Sequence, residues 1–200
     1  MKIIFSLTFV AILALASAAT VPDESGCQSV VGKETYEPNK YFHGKWYLTL
    51  AQKTPSSPTD VCRESKNEVL EDGSVIHNIY AYSDKATQQF YLLECTTNLK
   101  DVKDGTSVLN CKSTKDGKVN EFQLTATVLE TDYEHFTVLY VCGKLEGKNY
   151  GNFLVLNRDK NGEPTDPKIA ETLKKHGLDL STFTSRKNVH CKDHPSTVSN

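Results

Sequence analysis

The chain has 200 residues, with 23 Lys and Arg against 25 Asp and Glu, a formal net charge of -2, and 38% hydrophobic residues. That composition excludes a disordered or collagen-like chain and leaves no basic stripe for a nucleic acid or an acidic membrane surface. The length allows one sizeable core rather than two.

Lys2 precedes an apolar run from Ile3 to Ala16, and Ala16-Ser17-Ala18 supplies the small-x-small pattern read by signal peptidase. Cleavage is expected after Ala18, leaving residues 19–200 as one secreted domain. The run is too short to cross a hydrocarbon core, which needs about 20 apolar residues. Six cysteines follow, Cys27, Cys62, Cys95, Cys111, Cys142 and Cys191. An even count in an oxidising compartment, without Cys-x-x-Cys spacing, predicts three disulfides. Only one pair can be argued from the residues themselves. Cys95 and Cys111 flank Asp104-Gly105 almost symmetrically, which sets them opposite each other on two hairpin strands. His190, Cys191 and His194 match no zinc spacing, and neither a metal nor a cofactor is expected.

From Gly44 to Leu156 the chain alternates short runs rich in Val, Ile, Leu, Thr, Tyr and Phe with turn residues, an all-β pattern. Eight strands are predicted, over 45–51, 63–70, 74–83, 88–96, 107–113, 119–129, 135–143 and 150–157. Connectors such as Glu71-Asp72-Gly73, Asp104-Gly105 and Asp116-Gly117 carry residues that tolerate positive φ, so each strand is expected to pair with the next. One helix follows, capped by Asp166, with Pro167 in its first turn and its end at His176 before Gly177. Ile169, Ala170 and Leu173 should form its apolar face. Eight up-and-down antiparallel strands with one C-terminal helix favour a closed barrel, because closure removes exposed edges.

Three elements carry a resemblance to a known family. Tyr41-Phe42-His43-Gly44-Lys45-Trp46-Tyr47 resembles the opening signature of lipocalins. Thr131-Asp132-Tyr133 resembles their turn before the seventh strand, and Arg158 matches the arginine they stack on the tryptophan. Gly44, Trp46, Thr131, Asp132, Tyr133 and Arg158 are therefore expected to close one end of the barrel. With Val61-Cys62-Arg63-Glu64, Val155-Leu156-Asn157-Arg158 and the run from Phe183 to Cys191, the chain looks like the salivary lipocalins of blood-feeding triatomine bugs. That group includes nitrophorins, triabin, pallidipin and the biogenic-amine binders. The resemblance implies the pairings Cys27–Cys142 and Cys62–Cys191, and leaves Cys95 with Cys111.

The resemblance also implies a ligand site inside the barrel. Nitrophorins hold haem through a His between two Tyr; here Tyr80-Ala81-Tyr82 occupies the matching stretch, and a methyl group cannot bind iron. No hydrolase elbow, zinc-protease motif or phosphate-cradling loop is present, so catalysis is not expected. Ligand-binding candidates are Leu48 and Leu50 on the first strand, Arg63 at the start of the second, His77, Tyr80 and Tyr82 on the third, and Tyr140 on the seventh. The inward or outward parity of these tyrosines is left open. The loops expected at the open end carry Lys53, Lys85, Lys115, Lys118, Lys144 and Lys148 against Asp60, Asp84, Asp116 and Glu146, six positive to four negative. A cationic rim suits a ligand with an apolar body and an acidic head.

The expected function is sequestration of a small host mediator, an eicosanoid such as thromboxane A2 or else ADP, by a monomer in saliva that blocks platelet aggregation. One alternative is a protein-binding inhibitor of a clotting or contact-system protease. A further one is an amine or haem carrier, for which Asp23 and Glu24 would supply carboxylates near the mouth.

Overall fold

The computed structural model describes residues 27–53, 61–82, 90–115, 118–145 and 148–195. The expected signal segment, Asp23 and Glu24 lie outside them.

Alternating side chains and tight turns produce the predicted eight strands: β1 Gly44–Gln52, β2 Arg63–Val69, β3 Ser74–Tyr82, β4 Phe90–Asn98, β5 Thr106–Lys115, β6 Lys118–Thr131, β7 Phe136–Leu145 and β8 Lys148–Asn157. Each is antiparallel to the next, and β1 pairs with both β8 and β2, which closes the barrel. The 104–105 turn lies where positive φ is needed, with Asp104 at 46° and Gly105 at 72°. A single-turn helix α1, Pro38–Tyr41, precedes the barrel. Helix α2, Pro167–Lys175, follows it, and the Asp166 carboxylate caps α2 by accepting from the Lys168 amide. A three-residue strand β9, Phe183–Ser185, adds to the far edge of β1.

All three expected disulfides are formed, Cys27–Cys142, Cys62–Cys191 and Cys95–Cys111. The first ties the N-terminal segment to β7, and the second ties the C-terminal segment to the start of β2. The third joins the register partners of β4 and β5. Cross-links closing loops this long contribute about 3–5 kcal/mol each in the chain-entropy picture.

One face of the sheet lines the interior, and the outer face around β7 and β8 is covered by α2 and by the described segments before and after the barrel. Ile169 and Leu173 of α2 are fully buried against an outer cluster that includes Leu50, Val138, Tyr140, Phe153 and Val155. Ala170 is exposed and Thr172 is buried in its stead, a correction to the expected apolar face of α2. The helix sits rotated toward its 169/172/173 edge, so a small alanine faces water at little cost.

The closed end is built from Tyr41, Phe42, Trp46, Val75 and Val128. The Arg158 guanidinium lies 3.6 Å from the centre of the Trp46 ring. It donates to the carbonyls of Tyr133, Lys45, Tyr41 and Lys40 at 3.0–3.3 Å, and also to that of His43. The Thr131 hydroxyl donates to the Phe136 carbonyl at 2.7 Å and accepts from the Tyr133 amide. Although partly desolvated, Asp132 is held below the usual carboxylate range by the amides of His135 and Phe136. Gly44, at a φ of +62°, lets β1 begin beside Arg158.

Candidate functional site

Trp46 forms the floor of an interior cavity of about 110 Å³. Its walls are mostly apolar, with Leu48 from β1, Ile79 from β3, Leu109 from β5, Leu139 from β7 and Leu154 and Leu156 from β8. Apart from Ser107 on β5, the polar lining comes from β2 and the adjoining part of β3. Register pairs Arg63 with Ala81 and Asn67 with His77, and Ser65 stands between them on β2. Residues two apart share a face, so Arg63, Ser65 and Asn67 form one inward row beside His77.

This row is under-satisfied. Arg63 Nε, Ser65 Oγ and Asn67 Nδ2 are buried and have no hydrogen-bond partner among the described residues. Asn67 Oδ1 meets His77 Nδ1 in a short contact. Because that oxygen only accepts, the imidazole carries its proton on Nδ1 and leaves Nε2 as an acceptor. Burial lowers the His77 pKa to about 4, so the ring is neutral at physiological pH. The interior therefore holds one cation, Arg63, with no ion pair among the described residues, next to a neutral imidazole and two unpaired polar groups.

The one acidic residue of the cavity wall, Glu64, belongs to the outward row, and its carboxylate accepts from Lys45 Nζ at 3.3 Å on the far side of the sheet. An ammonium ligand would find no free carboxylate among the described lining residues.

Of the expected ligand contacts, Leu48, Arg63 and His77 line this cavity. Leu50, Tyr80, Tyr82 and Tyr140, also expected as ligand contacts, do not line it. A β-bulge between Leu48 and Leu50 inserts one residue and resets the alternation, turning Leu50 outward under α2 while Ala51 returns to the interior side. Tyr140 is outward on β7, where it packs against Phe153, and its hydroxyl accepts from the Gln28 amide. Tyr80 and Tyr82 face out beneath the C-terminal segment, with His194 against the Tyr80 ring and Lys192 over that of Tyr82. Ala81 lies between them on the inward row, opposite Arg63. Of the expected mouth charges, only the side chains of Lys53 and Lys144 fall within the described residues, and both are exposed. Sequence reasoning missed the polar lining residues Ser65 and Ser107, and Asn67, which stands behind the lining on the same β2 row against His77. Once Arg63 is set inward, a count of two along β2 finds Ser65 and Asn67.

A closed eight-stranded barrel, plugged by an arginine on a tryptophan and covered by one helix, is a lipocalin fold. A model of the nitrophorin family matches residues 27–200, and the chain belongs to that family. It is 28% identical to platelet inhibitor triplatin-2 of Triatoma infestans, over 96% of this chain and all of that protein. Among solved structures, the tryptamine complex of the amine-binding protein of Rhodnius prolixus superposes with a TM-score of 0.75 at 21% identity, covering 86% of this chain and 93% of that one. A protein crystallised with leukotriene C4 superposes with a TM-score of 0.60 at 19% identity, covering 87% and 99%. At these identities the two structures show the fold alone.

Proposed function

We propose that the protein is a secreted salivary binding protein that sequesters a small host mediator with an acidic or carbonyl-rich head and so impairs platelet aggregation. One observation carries the reading: three unpaired donors, from Arg63, Ser65 and Asn67, stand in one row of β2 beside a mostly apolar cavity. A buried donor without a partner costs about 1–3 kcal/mol, so a ligand supplying carboxylate, phosphate or carbonyl oxygens recovers that free energy on binding. The likeness to a platelet inhibitor supports the physiological half of the proposal. The amine alternative lacks a free interior carboxylate, and the haem alternative meets Ala81 where the family resemblance asks for a ligand.

At about 110 Å³ the cavity admits a group no larger than a benzene ring, well below the roughly 300 Å³ at which drug-sized pockets begin. An eicosanoid or nucleotide would therefore place its head or a short part of its chain there and leave the rest at the mouth. The same small volume is the observation that favours the second reading, a protease inhibitor acting through its outer surface.

Isothermal titration of the disulfide-intact protein with a stable thromboxane analogue, arachidonic acid, ADP and serotonin separates these readings. Submicromolar binding of an acidic lipid or nucleotide, weakened tenfold or more by Arg63→Gln, is the expected result. Silence from all four ligands sinks the proposal and turns the search to clotting proteases.

A further inference from the structure

A second concavity, of about 360 Å³, lies on the outer surface between the loop after β8 and the segment that follows β9. Its lining includes Thr49 on the bulge of β1, Lys160, Gly162, Arg186, Lys187 and His190, and none of the described residues lining it is acidic. Three cations and a histidine line the cleft, and the carboxylates that answer them, Asp193, Glu163 and Glu64, lie outside its lining.

The two segments are held open in this shape by their own bonds. Asp159, exposed, ties the turn: its carboxylate accepts from the Asn161 amide and its carbonyl accepts from the Gly162 amide. A Cβ at Gly162 would come within 2.6 Å of the Asn157 side chain, so the loop passes here only as glycine. On the other wall, Arg186 Nη1 donates to the carbonyls of Val61 at 3.1 Å and Arg63 at 3.4 Å. Those bonds anchor the guanidinium through one nitrogen. Its Nε and Nη2 have no hydrogen-bond partner among the described residues, which leaves the free edge of a planar fork in a half-buried position. Lys160 and Lys187 are each in an exposed ion pair, with Asp193 and Glu163 respectively. Exposed pairs of this kind contribute little and exchange readily for a better anion.

We propose that this cleft binds a tetrahedral oxyanion, a sulfate or phosphate group, on the forked edge of Arg186 between the ammonium groups of Lys160 and Lys187. A carboxylate would satisfy the fork but has only two oxygens, whereas a tetrahedral anion has oxygens left for the lysines and His190. The site lies outside the barrel interior and shares no lining residue with the cavity.

The probe is sodium sulfate titrated into the isotopically labelled, disulfide-intact protein at constant ionic strength, followed by amide shifts. Saturable shifts confined to Gly162, Lys187, His190 and their neighbours are expected, with binding at least tenfold weaker in K160Q/K187Q. Both substitutions fall on exposed side chains, so the fold is retained. R186K keeps the charge but removes the fork and is expected to weaken binding to a similar extent. Shifts that never saturate, shifts spread over lysines elsewhere such as Lys112 and Lys168, or unchanged binding in the double variant would overturn the proposal. Parallel titrations distinguish the source of the anion. A sulfated tetrasaccharide binding tenfold tighter than inorganic sulfate, with its desulfated counterpart silent, assigns the cleft to a sulfate ester on a host glycan. Equal affinity for sulfate, phosphate and the sulfated sugar assigns it to the free oxyanion.

Discussion

The closed end of the barrel and the inward row of β2 place similar chemistry in opposite states. At the closed end Arg158 is half-buried, yet it donates to five carbonyls and lies flat on Trp46. Burial pulls its pKa down to about 10, still far above physiological pH, so it stays charged. A short distance up the barrel, the Arg63 guanidinium has no bonded partner among the described residues, and Ser65 and Asn67 each hold an unpaired buried atom. Satisfied polar groups hold a fold together. Unsatisfied ones cost stability, and under the proposed function the cost carried by the β2 row is recovered when a ligand head binds beside it.

The largest test of this contrast is Arg158→Ala. It removes the cation over Trp46 and leaves five carbonyls to find water, at a cost of about 4 kcal/mol. For a domain of this size that corresponds to a fall of roughly 10 °C in Tm, measurable by thermal or urea unfolding. A loss under about 1 kcal/mol would show that the plug is ornamental and break the comparison.

Next in size is the pH dependence attached to His77. The folded ring titrates near 4 and the unfolded ring near 6.5, so between these values the unfolded state binds a proton that the folded state refuses. Stability therefore falls as pH drops from 6.5 towards 4, by up to about 3 kcal/mol in all, and is unaffected by this group above that window. His176 and His194 are lowered by burial too and act in the same direction. His77→Gln should flatten the profile of urea midpoint against pH across the window. A profile as steep as that of the parent would show that His77 is not the buried neutral group described.

Gly44→Ala returns to the closed end with a smaller perturbation. The added methyl meets only Arg158 Nη1, at 3.7 Å, so no clash arises, and the cost is the positive φ, about 1 kcal/mol. An unchanged urea midpoint would mean that the backbone relaxes there and that Arg158 does not fix the start of β1.

How legible these regions were in the sequence differs for physical reasons. The closed end could be read because its parts are an ordered set: a glycine, a tryptophan, a Thr-Asp turn and an arginine, each with a restrictive role. The β-strands were legible from turns and alternation, and Cys95–Cys111 from symmetry about one turn. Leu50 was misread because the bulge at Thr49, where the Thr49 hydroxyl donates to the Val155 carbonyl, is a product of barrel closure and leaves no mark in the alternation. The parity of β3 was unreadable because both of its faces mix apolar and polar residues, His77 on one and Ser74 and Asn78 on the other. Its outer tyrosines are covered by a C-terminal segment that Cys62–Cys191 brings from 129 residues away. The polar row of β2 was missed because Arg63-Glu64-Ser65-Lys66-Asn67 reads as a uniformly solvated strand. Only the register with β3 separates Glu64 and Lys66, facing out, from Ser65 and Asn67, facing in.

The smallest effect on stability is the sharpest test. Ser65→Ala deletes a buried hydroxyl that has no partner, so the folded protein loses no hydrogen bond and is relieved of a desolvated group. Its urea midpoint should stay within about 0.5 kcal/mol of the parent or rise slightly, where the same truncation of the bonded hydroxyl of Thr131, Thr131→Val, should cost about 1–2 kcal/mol. Binding should show the reverse order. If the β2 row receives the head of a ligand, Ser65→Ala weakens the ligand found by titration several-fold while Thr131→Val leaves its affinity unchanged. If Ser65→Ala instead destabilises the free protein by 1 kcal/mol or more, its hydroxyl is already bonded, to water or to a residue outside the described set. The row would then be a satisfied structural network, no different in kind from the closed end.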